Sequence, residues 1–226
     1  MNKTSPLSDL LPVGDLSRGV GQKLTKEQRD LQRIERMTLA AFELFTEHGY
    51  QNTTIEALCT QANVSTRDFY KLIKTRESLL ARVYVRVFEH VETCIAIALE
   101  NAEGLSNMER VRTAVDAWVH AYTNDYRYAR LSYIEVVGVS DALERLRREA
   151  HQRFSALIRQ EFANQSRDLD QVMHGKLPLA IVGACNELVV DWLSQSPRPS
   201  PDELSTEVKE MYTIIFAGLD ASAAKK

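Results

Sequence analysis

From about residue 26 onward apolar residues recur every three or four positions, and Gly and Pro fall mainly at the breaks between long amphipathic stretches. No stretch alternates apolar and polar residues in the way a half-buried strand requires. That single period confines the chain to an all-α fold. The first helix is expected from about Lys26 to His48, with Leu31, Ile34, Met37, Ala41, Leu44 and Phe45 on one face and Gly49 as its left-handed stop. Thr53 and Glu56 stand three apart, the spacing of a capping box, and open a short helix from Thr54 to Ala62. Asn63-Val64-Ser65 turns the chain, Ser65 and Asp68 repeat the capping spacing for a second short helix to about Ile73, and Thr75 caps a long one through Glu100.

Beyond Gly104 helices are expected at about 106–124, 126–137, 140–165, 170–195 and 201–219. The last opens on Ser200-Pro201-Asp202-Glu203, which joins an N-cap, a first-turn proline and acidic residues at the positive helix end. Residues 1–24, with three Gly, two Pro and no periodicity, read as a flexible N-terminal arm, and Ala221 to Lys226 as a flexible tail. The expected domains are 25–74, carrying the two short helices, and 75–220, the long ones.

Two short helices joined by a tight turn have the layout of a helix-turn-helix (HTH), whose second helix can enter the major groove. In that second helix Phe69, Leu72 and Ile73 share the face toward the core with Val64. Arg67, Tyr70, Lys71 and Lys74 share the opposite face. Such a stripe places Arg67 and Lys71 within reach of base edges and Tyr70 near phosphate. Periodicity alone leaves three alternatives open: a solvated basic face, a half-buried structural Tyr70, and a Thr53 that only caps a helix.

Residues 38 to 80, TLAAFELFTEHGYQNTTIEALCTQANVSTRDFYKLIKTRESLL, resemble the N-terminal DNA-binding module of the tetracycline-repressor (TetR) family of bacterial transcription regulators. The likeness rests on AAFELFTEHGY, then TTIEALCTQANVS, then DFY followed by RESLL. It implies that Thr53, Thr54, Ser65, Tyr70 and Arg76 contact the phosphate backbone and that Thr66, Arg67 and Lys71 lie near bases. Where the family has an aromatic and then a small residue or Pro, this chain has Leu72, Ile73 and Lys74. The fold implied is a three-helix HTH domain followed by a helical ligand-binding and dimerisation domain. The function implied is a ligand-responsive transcriptional regulator, a repressor that leaves a near-palindromic, double-stranded operator when a small effector binds. The alternative is a helical ligand-binding or interaction protein that does not use its HTH on DNA.

Leu177 to Leu193 is apolar nearly all round, and the last helix carries Leu204, Val208, Met211, Ile215 and Leu219 in a stripe. The two can form half of an intersubunit four-helix bundle or the core of one subunit. The resemblance favours a homodimer through Leu177, Ile181, Ala184, Leu188, Trp192, Met211, Ile215 and Phe216, with recognition helices about 34–36 Å apart. Between the two modules Tyr84, His90, Trp118, Tyr122, Tyr126, Tyr133 and Glu135 are candidates for an effector pocket suited to a small, largely hydrophobic ligand; ordinary core and surface aromatics are the other reading.

No HExxH, GxSxG, Walker or GxGxxG pattern occurs, so no catalytic residue and no cofactor is assigned. His90 and Cys94 make only two ligands of a metal site, and none is assigned either. Three scattered cysteines, no signal-like apolar run at the start and no uninterrupted membrane-length run imply a cytoplasmic protein with no membrane partner. A formal net charge of -3 at first disfavours a polyanionic partner. The distribution reverses that: residues 1–86 hold 13 Lys and Arg against 10 Asp and Glu, a balance of +3, and residues 87–226 hold 15 against 21, a balance of -6. The basic end is the one expected to face DNA.

Overall fold

The computed structural model describes residues 24–162, 173 and 175–223, with side chains up to Gly218. The arm expected at 1–24 falls outside the described residues but for Leu24. So do the stretch 163–172, the end of the tail and the Leu219 side chain. The elements are α1 (Lys26–His48), α2 (Ile55–Ala62), α3 (Thr66–Leu72), α4 (Arg76–Asn101), α5 (Asn107–Thr123) and α6 (Tyr126–Arg130), followed by a π-helical turn (Leu131–Glu135) and then α7 (Asp141–Phe162), α8 (Leu177–Ser194) and α9 (Pro201–Ala223). No strand occurs among the described residues, so the fold is all-α.

The chain divides between Val87 and Phe88 into two compact units. The start of α4 therefore belongs to the first unit, whose compactness runs past the 74/75 boundary that helix starts alone suggest.

In the first unit α1 opens with a capping box, Gln28 N donating to Thr25 Oγ1 at 3.2 Å and Thr25 N to Gln28 Oε1 at 2.9 Å. It ends at Gly49, whose φ of 86° only glycine adopts freely. Met37, Ala41, Phe42, Phe45, Leu58 and Phe69 are fully buried, each large side chain contributing roughly 1.5–3 kcal/mol. Leu31 is not among them: it is 61% exposed, because the first turns of α1 extend beyond this core. The N-cap of α2 is Thr54, one residue later than the Thr53–Glu56 spacing predicts, and its side chain accepts from Ala57 N. The reason is that Thr53 is taken up elsewhere: it is buried, and its hydroxyl lies 2.9 Å from the Gly49 carbonyl and 3.3 Å from that of Leu44. Asn63 in the left-handed region ends α2, and Ser65 caps α3 by accepting from Asp68 N.

In the second unit, Ser106 with Glu109 and Ser200 with Glu203 form capping boxes that start α5 and α9. The helix expected over 126–137 is shorter and mixed. α6 gives way to the π turn, where Val136 N donates to the Leu131 carbonyl at 3.3 Å, and Gly138 with φ 69° ends the run. Helix α8 packs against α7 and α9, and α5 packs against α9. By length and composition Leu177–Ser194 would suffice to cross a bilayer, but Ile181, Val182, Cys185, Val189 and Trp192 are buried here, as in a core helix.

Candidate functional site

Helix α3 turns two unlike faces outward and inward. Phe69 and Ile73 are buried with Val64, while Ser65, Thr66, Arg67, Tyr70, Lys71 and Lys74 are exposed, Tyr70 at 58%. The Phe69 ring meets Tyr70 edge-on at 5.7 Å, so the tyrosine stands on the core without entering it. Lys71 Nζ lies 3.1 Å from Asp30 Oδ2 on α1, whereas exposed Arg67 has no ion pair among the described residues. Lys74 holds φ at 76°, an uncommon conformation for a residue with a side chain, and closes the end of α3 by donating from its N–H to the Phe69 carbonyl at 3.2 Å.

Two residues expected on phosphate sit differently. Thr53 faces inward, so its side chain is a structural donor and not a surface contact. Arg76 stacks over the Tyr50 ring at 4.4 Å and donates to the Thr53 carbonyl. Those bonds pin the start of α4 to the loop between α1 and α2. Thr54, by contrast, is exposed at a helix N-terminus, where positive dipole and free N–H groups favour anions.

The second unit holds a cavity of about 70 Å³. Its walls include Ile95 of α4, Val115 and Trp118 of α5, Phe154 and Leu157 of α7, Val182 and Cys185 of α8, and Val208 and Tyr212 of α9. Polar groups at the wall are mostly engaged. Arg110 Nε and Nη2 donate to Glu161 at 2.7 and 3.0 Å, and Asn186 Nδ2 lies 2.9 Å from His151 Nε2. Burial pushes the Cys185 thiol up to about 12 and the Tyr212 hydroxyl well above its usual range, so both are neutral at neutral pH. Such a space accepts apolar matter and has little to offer a charge.

Residues 38–83 match the family model described as bacterial regulatory proteins, tetR family. That stretch carries the DNA-binding module of the TetR family. Among solved structures, it is similar to the fatty acid degradation regulator FadR from Bacillus halodurans, at 16% identity and TM-score 0.65 over 84% of this chain and 96% of that one. A TetR-like transcriptional regulator from Rhodococcus sp. RHA1 matches at 19% identity and TM-score 0.64 over 87% of this chain and 100% of that one. FadR from Bacillus subtilis, solved in complex with stearoyl-CoA, matches at 17% identity and TM-score 0.61 over 80% of this chain and 96% of that one. At these identities the likeness carries the fold, and it extends over both units of the chain.

The seven effector-pocket candidates are spread over both units. Of the seven, only Trp118 lines the cavity. Tyr84 is buried in the first unit. Tyr122 and Tyr133 pack on each other at 5.1 Å, His90 on Tyr128 at 5.7 Å, and Glu135 pairs with Arg130 at 3.0 Å. Tyr126 lies 40% exposed beneath Arg198. Trp118 and Tyr122 share α5, which stops at Thr123, and Tyr126 starts a new helix. The rest of the cavity wall is mostly aliphatic and aromatic side chains from α4, α5, α7, α8 and α9, which carry no signal separating them from core.

On α8 and α9, Leu177, Ala184, Leu188, Met211 and Ile215 keep exposed or half-buried surface. Ile181, Trp192 and Phe216, expected at the subunit interface, are core residues of this chain instead: Phe216 stacks on Phe162 at 3.8 Å, and Trp192 Nε1 donates to the Pro199 carbonyl at 2.8 Å. Among the described residues no three His, Cys, Asp or Glu gather to hold a metal.

Proposed function

We propose that this chain is a TetR-family regulator, a homodimeric repressor whose α3 reads a near-palindromic operator and whose cavity takes a small, largely hydrophobic effector that releases the DNA. The observation that carries the reading is the presence, in one chain, of an exposed cationic recognition helix and an almost wholly apolar cavity. Helix α4 supplies a covalent route between them: it begins with Arg76, latched to the HTH, and carries Ile95 into the cavity wall. The cavity is smaller than the roughly 300–1,000 Å³ of ligand pockets, so an effector must widen it, and any shift of Ile95 moves a helix the HTH depends on. An effector need favour the DNA-incompetent state by only about 1–3 kcal/mol.

The B. subtilis FadR complex with stearoyl-CoA supports an acyl chain as the effector class. Dimerisation is supported by α8, where Leu179, Ala180, Gly183 and Ala184 are exposed on one face, and by Ile214 of α9 at 73% exposure. The place of action is the cytoplasm, where bacterial operators lie.

A mobility-shift assay on DNA upstream of its own gene, extended by selection from a randomised duplex library, tests the repressor reading. Binding no tighter than to random DNA in both removes it. Acyl compounds of graded length are then titrated into the complex, and release that depends on chain length is expected. Exchange of Arg67 and Lys71 together for Ala is expected to abolish operator binding with dimerisation intact; unchanged binding would favour a helical protein that does not use its HTH on DNA.

A further inference from the structure

The cavity of the second unit has a larger space beside it. A groove of about 570 Å³ runs between α4 and α7, with Glu89, Glu92 and Thr93 on the first helix and Arg153, Phe154 and Gln160 on the second. Ile95, Phe154 and Leu157 line both spaces, so these side chains part them. The groove alone falls within the roughly 300–1,000 Å³ of ligand pockets.

This groove already holds a cation. The Arg153 guanidinium bonds the Glu92 carboxylate and stands over the Phe88 ring at 4.9 Å, and that ring meets Phe154 edge-on at 5.1 Å. The two members of the ion pair are unequally placed, the Glu92 side chain being 26% exposed and that of Arg153 60%. Release to water therefore costs the arginine little, whereas the carboxylate and the aromatic face it leaves call for another cation. The described lining is also short of positive charge, with two carboxylates to one guanidinium. Burial pushes the Glu92 carboxyl up and the charge of Glu89 adds to this, and Arg153 offsets the two only in part.

We propose that the groove takes the cationic head, an ammonium or guanidinium, of an amphiphilic effector whose apolar chain parts Ile95, Phe154 and Leu157 to enter the cavity. The inference rests on the cavity being the effector site, and it adds a head group to the apolar chain. The head replaces Arg153 on Glu92 and Phe88, and Arg153 turns out to solvent. Exchange of one cation for another is nearly even, so burial of the chain supplies the affinity and the head supplies the selection. An anionic head has no such exchange. It meets Glu89 and Glu92, or it draws Arg153 away and strands the Glu92 carboxylate.

Decylamine, decanol and decanoate share a chain and differ in head charge. Each is titrated by calorimetry, below micelle-forming concentrations, into the full chain as wild type, Glu92→Gln and Arg153→Ala. Wild type is expected to bind decylamine at least about tenfold tighter than decanoate, with decanol between them. Glu92→Gln is expected to bring the two charged probes within about threefold of each other while decanol binding holds. A preference that survives this exchange belongs to the acidic body at large and overturns the inference. Arg153→Ala removes the resident cation and is expected to tighten decylamine about fivefold; weaker decylamine binding there overturns the inference as well. Should circular dichroism show that one variant has lost helix, the other decides alone. If no probe binds, the effector role of the cavity fails and this inference with it; if all three bind wild type equally, the cavity keeps its role and only the inference falls.

Discussion

Thr53 and Arg76 show how one residue serves the surface by serving the interior. The Thr53 hydroxyl reaches two carbonyls at the end of α1, and its own carbonyl receives Arg76 from α4. Thr53→Val leaves the shape but strips the buried donor, and is expected to cost roughly 1–3 kcal/mol of stability in urea denaturation. Lys74 offers the opposite case. At φ 76° a side chain is strained, so Lys74→Gly is expected to stabilise the first unit by about 1 kcal/mol while weakening DNA binding and flattening its salt dependence. Denaturation and anisotropy read the two effects separately; a variant that gains neither stability nor salt tolerance would remove Lys74 from both roles. Among these residues the cationic face of α3 was legible from spacing. The inward turn of Thr53 was not, since a threonine before a helix looks the same whether it caps, packs or binds.

At the level of elements, cavity and helix ends divide in the same way. Capping spacing located the starts of α3 and α9 because a cap is a local event, settled by a hydroxyl and an N–H three residues away. The break between α5 and α6 falls where the pattern places it, but the π turn at Leu131–Glu135 depends on what the segment packs against, and a continuous apolar pattern hides it. The cavity is further removed still, for its walls come from five helices. Ala114 lines it from α5. Ala114→Leu is expected to fill the space, leaving operator affinity within about threefold and making acyl-compound release at least about tenfold harder. Intact release in that variant, measured by anisotropy, would place the effector elsewhere.

For the molecule as a whole, the second unit is joined by polar ties that pH can reach. Burial lowers the pKa values of His151, beside Asn186, and of His90, beside Tyr128, below the usual 6.5, so both are neutral in the fold at neutral pH. The sign follows: on acidification the unfolded chain takes up these protons first, so stability is full above 6.5 and falls as pH drops below it. Thermal melts are expected to give a lower Tm at mildly acidic pH than at neutral pH, with a smaller difference in His151→Gln. Asp116 has the same sign in a lower pH window. Burial pushes its carboxyl up, but bonds from Lys209 and Ser205 outweigh this and hold it below its usual 3.8. Its contribution is therefore lost only in stronger acid.

The sequence by itself determined the helical period, most helix ends, the basic N-terminal end on an acidic body, and the face of α3 that meets solvent. Each depends on residues at most a turn or two apart, where spacing and propensity act directly. Tertiary structure decided that Ile181, Trp192 and Phe216 serve this chain's own core, that residues of five helices line the cavity, and that Asp30 reaches Lys71. Burial, enclosure and a charge partner 41 residues away in sequence depend on which helices come together, and no local pattern records that.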